Sequence, residues 1–111
     1  SGSTKFTVDV MKFANKSGAL TVGISNNINS ELEKNANIPI ILNTGAEVVA
    51  GSTRLKAGTA QKICLNLIST LVMTRLGKVK KGMMNNLVVT NKKLFKRKQK
   101  IDILLSKYKG N

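Results

Sequence analysis

Acidic residues are scarce in this chain of 111, where five Asp and Glu stand against nineteen Lys and Arg for a net charge of +14. The shortage is uneven. Residues 75–111 hold twelve cations and the single acid Asp102, whereas residues 1–74 hold seven cations and four acids. A basic tail of that kind attracts phosphate backbones without reading their sequence. Two further shortages argue against specific nucleic-acid readout. Only three of the nineteen cations are Arg, the residue suited to bidentate base contacts. The four aromatics, three Phe and one Tyr, provide no stacking ladder.

Cysteine occurs once. Cys64 has no internal disulfide partner and, set among Ile63, Leu65 and Leu67, reads as a buried structural thiol of a cytoplasmic protein. There is no run of eighteen apolar residues, so no transmembrane helix is expected. No charged-then-apolar leader opens the chain, and its first residue is Ser1 rather than Met, which suggests a fragment. A hydrophobic content of 41% permits one small core.

What is present alternates. Phe6, Val10, Phe13 and Ala14 fall on one face of a helix expected over about 5–16, closed by Ser17-Gly18. Residues 19–25 and 38–42 read as strands, the second with Pro39 favouring a place near a sheet edge, and a turn or two of helix lies near 30–34. A helix over about 59–76 is apolar nearly all round, which predicts burial on more than one side. A last, lysine-rich helix is expected over about 90–107. That order is the signature of an α/β protein with a parallel sheet.

Two segments carry chemistry. Ser1-Gly2-Ser3-Thr4 opens the first helix; its hydroxyls and free N–H groups suit a phosphate, although Ser or Thr before a helix is also an ordinary N-cap. Residues 45–62 form a glycine-punctuated loop running into the long helix. There Gly51, Ser52 and Thr53 supply tight backbone and hydroxyls, and Lys56 is a point charge for a phosphate. Arg54 and Lys56 at a helix start oppose its dipole, so a bound anion would explain them better than solvent does. Glu47 is the carboxylate available to a pocket, open to two readings: proton transfer, or a surface or capping role. No metal or cofactor is called for.

The order of residues 45–62, Gly-Ala-Glu-Val-Val-Ala-Gly-Ser-Thr-Arg-Leu-Lys-Ala-Gly-Thr-Ala-Gln-Lys, closely resembles the signature of the N-acetylmuramic acid 6-phosphate etherases, with the glucokinase regulatory proteins as relatives. Residues 21–25, Leu65-Asn66, Ser69-Thr70, residues 75–79 and residues 90–94 continue the likeness. It departs at Ser3-Thr4-Lys5, where the family usually has Arg-Thr-Pro, and at residues 81–86, where Lys-Gly-Met-Met-Asn-Asn replaces Gly-Asn-Leu-Met-Val-Asp. The resemblance implies the second half of a sugar isomerase (SIS) domain, a partial three-layer α/β/α, flavodoxin-like fold over residues 1–80, with a basic helical extension over 81–111. It implies a carbon–oxygen lyase that cleaves the D-lactyl ether of a phosphosugar, a homodimer in the full-length family, and no membrane partner. Ser1 and Thr4 match the hydroxyl positions of the family's phosphate loop and Gly2 its glycine, which makes Ser1, Gly2, Ser3, Thr4 and Lys56 the candidate phosphate-binding residues. The family's glutamate acid–base pair lies in its first half, so this chain alone is expected to be inactive. Two alternative readings stay open: a non-catalytic sugar-phosphate-binding regulatory module, and, less favoured, a basic nucleic-acid-binding protein that depends on the lysine cluster.

Overall fold

The computed structural model describes residues 1–108. The elements run α1 (Lys5–Lys16), β1 (Val22–Ser25), α2 (Glu31–Asn35), β2 (Ile38–Ile41), α3 (Lys56–Arg75), β3 (Val79–Lys80), β4 (Met83–Met84) and α4 (Lys92–Lys107). Two compact units result, Ser1–Leu65 and a second from Asn66 onward.

In the first unit β1 and β2 pair in parallel, Val22 opposite Ile38 and Ser25 opposite Ile41, with α2 as the short crossover. The pair confirms the α/β character expected from the alternation. Strand β1 starts later than expected. Residues 19–21 are not strand: Thr21 joins the pair only through its carbonyl, which accepts from the Ile38 N–H, while its own N–H donates to Asn37 Oδ1 at 3.0 Å and its Oγ1 accepts from the Asn37 N–H at 3.1 Å. The same hydroxyl lies 2.7 Å from Asn15 Oδ1 and 2.9 Å from Asn37 Oδ1, donating to one at a time. Asn15 in turn donates through Nδ2 to the Asn35 carbonyl. One buried Thr thus ties α1, β1 and the end of α2 together.

Helix α1 ends as its sequence dictates. Gly18 takes φ +76°, the Ser17 hydroxyl donates to the Phe13 carbonyl at 3.0 Å, and the Ala19 N–H reaches the Ala14 carbonyl at 3.1 Å. Its buried side chain is Val8, whereas Phe6 and Phe13 are 76% and 73% exposed. Val8, Leu32 and Ala57 make up the buried apolar core, beside the buried polar residues Thr21, Ser25 and Ser30.

The long helix corrects two expectations. It begins at Lys56, one turn early, and its buried residue is Ala57; Leu65, Leu67, Leu71 and Leu76 stand exposed. An all-round apolar helix needs cover on several sides, and the described residues supply little of it. Cys64, on the same helix, is accordingly half-buried rather than buried.

The second unit contains an element not expected from the sequence, an antiparallel β3–β4 pair turning at Lys81 (φ 51°) and Gly82 (φ 74°). Two successive positive φ values define the turn geometry that tight hairpins favour. Helix α4 opens at Lys92, where Asn91 Oδ1 caps the Leu94 N–H at 3.0 Å.

Candidate functional site

Ligands of parallel α/β sheets settle beyond the carboxyl ends of the strands. Two adjoining clefts lie there in the first unit. One, about 240 Å³, is bounded by Ser1, by Asn26 and Asn27 after β1, by Thr44 to Glu47 after β2, by Gly51 and Thr53, and by Ala57 of α3. The other, about 370 Å³, shares Asn26, Asn27, Gly45 and Ala46 and adds Ile28 and Asn43. Of the residues picked out from sequence, Ser1, Glu47, Gly51 and Thr53 therefore meet at one cleft.

The Ser1–Thr4 segment is held by contacts to its neighbours. The Ser1 carbonyl accepts from Asn27 Nδ2 at 2.9 Å, and the Gly2 carbonyl accepts from the Leu32 N–H at 2.9 Å. Gly2 sits at φ +86°, and a Cβ there would fall 2.5 Å from Ser30 Oγ and 2.9 Å from Ser25 Cβ. Only glycine fits this position. Ser25 and Ser30 are themselves saturated, Ser30 Oγ bonding Ser25 Oγ at 3.1 Å and Ser25 Oγ donating to the Asn27 carbonyl at 2.9 Å. Ser3 and Thr4 are exposed. Thr4 is the N-cap of α1 with an extended backbone, yet its side chain makes no capping bond; its Oγ1 lies 3.4 Å from Ser1 Oγ. Two hydroxyls and a set of N–H donors without a side-chain cap thus share one helix start.

The loop after β2 is closed from within. Glu47 Oε2 accepts from the Lys56 N–H at 3.1 Å and Oε1 from the Ala57 N–H at 2.9 Å. Ser52 is half-buried, its N–H on the Val49 carbonyl at 3.0 Å. Lys56 is exposed and is not among the cleft-lining residues.

The sequence reading passed over the strand-end amides. Asn26 donates to the Leu42 carbonyl at 3.0 Å and accepts from Gln61 Nε2 at 2.5 Å, linking β1, the end of β2 and α3. Asn43 Oδ1 accepts from the Gly45 N–H at 3.3 Å. Their position just beyond two parallel strands was the available signal. Among the described residues no cluster of His, Cys, Asp and Glu suits a metal ion. No described helix is long and apolar enough to cross a membrane.

No family model matches the chain. Among curated proteins it is 54% identical, over 101 residues, to the N-acetylmuramic acid 6-phosphate etherase of Oceanobacillus iheyensis, covering 91% of this chain and 34% of that enzyme. The etherases of Bacillus cereus and Mycoplasma mycoides are each 50% identical over the same 91% of this chain. The chain therefore spans about a third of the length of these relatives, 33–34%.

Proposed function

We propose, from this chain's kinship with one segment of the N-acetylmuramic acid 6-phosphate etherases, that it is the phosphosugar-holding part of an etherase-like SIS domain. The complete protein would cleave the D-lactyl ether of N-acetylmuramic acid 6-phosphate in the cytoplasm, as part of cell-wall sugar recycling and as a homodimer. The contribution of this chain is binding and orientation. Acid–base chemistry belongs to the glutamate pair that the resemblance assigns to the preceding half, so this chain alone turns over no substrate.

The observation that carries the reading is the start of α1. Ser1 and Thr4 hold their hydroxyls 3.4 Å apart at a helix N-terminus without a side-chain cap. A phosphate there gains both hydroxyls, the free N–H groups and the positive end of the helix dipole. Gly2 and Ser3 bring backbone close to the anion, and Lys56, exposed outside the cleft lining, adds long-range positive potential rather than a direct contact. The sugar ring would then lie toward Gly51, Ser52 and Thr53, with the Asn26–Asn43 amides at its rim.

The test is a titration of the chain with glucosamine 6-phosphate, followed through its backbone amide resonances. Shifts confined to Thr4–Phe6, with smaller ones at Gly51 and Thr53, are expected. Shifts restricted to the α4 lysines would overturn the reading. A second reading, a non-catalytic sugar-phosphate module, is favoured by one observation: both oxygens of Glu47, the carboxylate at the cleft, are already engaged by backbone N–H groups.

A further inference from the structure

We infer that Glu47 is a positioning residue, an internal anion that caps α3 and holds the 47–56 loop against the cleft, rather than a group that exchanges protons with substrate. The inference stands on loop geometry and leans on the reading above only for the identity of the ligand.

Helix α3 carries no acidic side chain in its first turn and starts with Lys56, after Arg54. Cations at that end oppose the helix dipole, and such an end calls for an anion. Glu47 supplies it from nine residues upstream, one oxygen to each of the first two helical N–H groups, at 3.1 and 2.9 Å. The second of those donors is deeply placed: Ala57 is 1% exposed. A backbone N–H in that setting must find a partner, and Glu47 is the one it has among the described residues. Hydrogen bonds to a carboxylate acceptor are the stronger kind.

Two consequences follow for the cleft. The first two N–H groups of α3 are taken by the chain's own carboxylate while no side chain caps those of α1, so the two helix ends are not interchangeable anion sites. The segment between Glu47 and Lys56 becomes a short closed loop, which fixes Gly51 and Thr53 at the cleft wall. Gln61, one turn further along α3, adds a second tie through Asn26.

The experiment compares the 111-residue chain with its Glu47→Gln and Glu47→Ala variants by amide hydrogen exchange and amide shifts. The Ile38 and Leu42 amides, bonded across the β1–β2 pair to the Thr21 and Ser25 carbonyls, report whether the fold is intact. A graded response is expected. Lys56 and Ala57 should exchange about tenfold faster in the Ala variant, the scale of a lost cap, and by an intermediate factor in the Gln variant, which keeps one acceptor. Gly51 and Thr53 should shift in the same order, and inorganic phosphate should leave the Lys56 and Ala57 amides of the unaltered chain unmoved. Gln as well protected as Glu would mean that the end of α3 needs no anion, and that outcome overturns the proposal. So would phosphate shifting Lys56 and Ala57. If Ala collapses the Ile38 and Leu42 protection, the Gln variant decides. Failure of the phosphosugar reading is separate: Lys56 and Ala57 would stay protected while Thr4–Phe6 ignored the sugar phosphate.

Discussion

Among the described residues, every buried position lies in the first unit, from Val8 to Ala57, and none lies from Asn66 onward. The hydrogen bonds divide the same way. Side chains of the first unit reach far along the chain, from Asn27 to Ser1, Thr21 to Asn37, Asn26 to Leu42 and Gln61 to Asn26. Side-chain hydrogen bonds of the second reach only nearby residues, the longest span among the described residues being Asn85 Nδ2 to the Gly77 carbonyl at 3.2 Å. Its longer tie is a cation over a ring, Lys81 Nζ 5.7 Å from the Tyr108 centroid. The first unit is therefore specified by tertiary ties around small side chains. The second is specified by local signals, a turn, a cap and a run of cations, which set backbone shape without making a core.

The sharpest way to break that comparison is at Gly2. An added methyl would meet Ser30 Oγ at 2.5 Å while φ stays at +86°, whereas at Gly18, φ +76°, it would meet open space. Gly2→Ala should cost roughly 2–4 kcal/mol, strain and overpacking together, and Gly18→Ala only about 1 kcal/mol. Urea unfolding followed through the β1–β2 amides measures both. Equal costs would mean that the Ser25–Ser30 packing under Gly2 is not tight.

Thr21 tests the polar ties. Thr21→Val keeps shape but removes the buried Oγ1 that joins the half-buried Asn15 to the exposed Asn37, and with it the hydrogen bonds to both. A loss of about 1–3 kcal/mol is expected. The matching change in the second unit is Ser106→Ala, which removes a bond of 2.7 Å to the Ile103 carbonyl on an exposed helix surface. It should stay within about 0.5 kcal/mol of zero. Similar losses at the two sites would contradict the division between tertiary and local order.

Element order, the parallel pair and the limits of α1 were legible because they rest on periodicity and on breakers such as Ser17-Gly18. The β3–β4 turn was not, since Lys81-Gly82 lacks the Asn-Gly or Asp-Gly pair that normally announces two positive φ values. Burial of α3 was overstated for a physical reason. Apolar residues around a circumference state a need for cover, not its presence, and Leu71 is 63% exposed. The site was half legible. Hydroxyls, glycines and Glu47 stand out as residue types, and their meeting at one cleft depends on loop closure that spacing alone does not encode. At the start of α3, beside Arg54, the chain sets its own Glu47 carboxylate, a contact that the sequence alone did not assign. Asn26 and Asn43 were invisible because amides are common loop residues; only the parallel pairing puts them together.

The smallest expected effect concerns the charge of the second unit and leaves the first untouched. Lys93, Lys96, Arg97 and Lys100 border one shallow groove of about 270 Å³ on α4. None has a carboxylate within salt-bridge distance, the ion pair among the described residues being Lys34–Glu31 at 3.1 Å. Cations so arranged hold mobile counterions, and releasing these onto a phosphate backbone drives weak, sequence-independent association. The chain should therefore bind a mixed-sequence DNA duplex at low salt and let go as salt rises. Replacing Lys96 and Lys100 together by Gln should lower the slope of log affinity against log salt by roughly 2, about one per cation removed. The β1–β2 amides should not move, because the altered side chains are exposed on α4. Fluorescence anisotropy across a salt series gives the slope, and amide spectra of the double variant give the control. Binding that survives high salt, or that prefers one sequence, would require contacts beyond phosphate and would make the second unit a reader of nucleic acid rather than a basic surface.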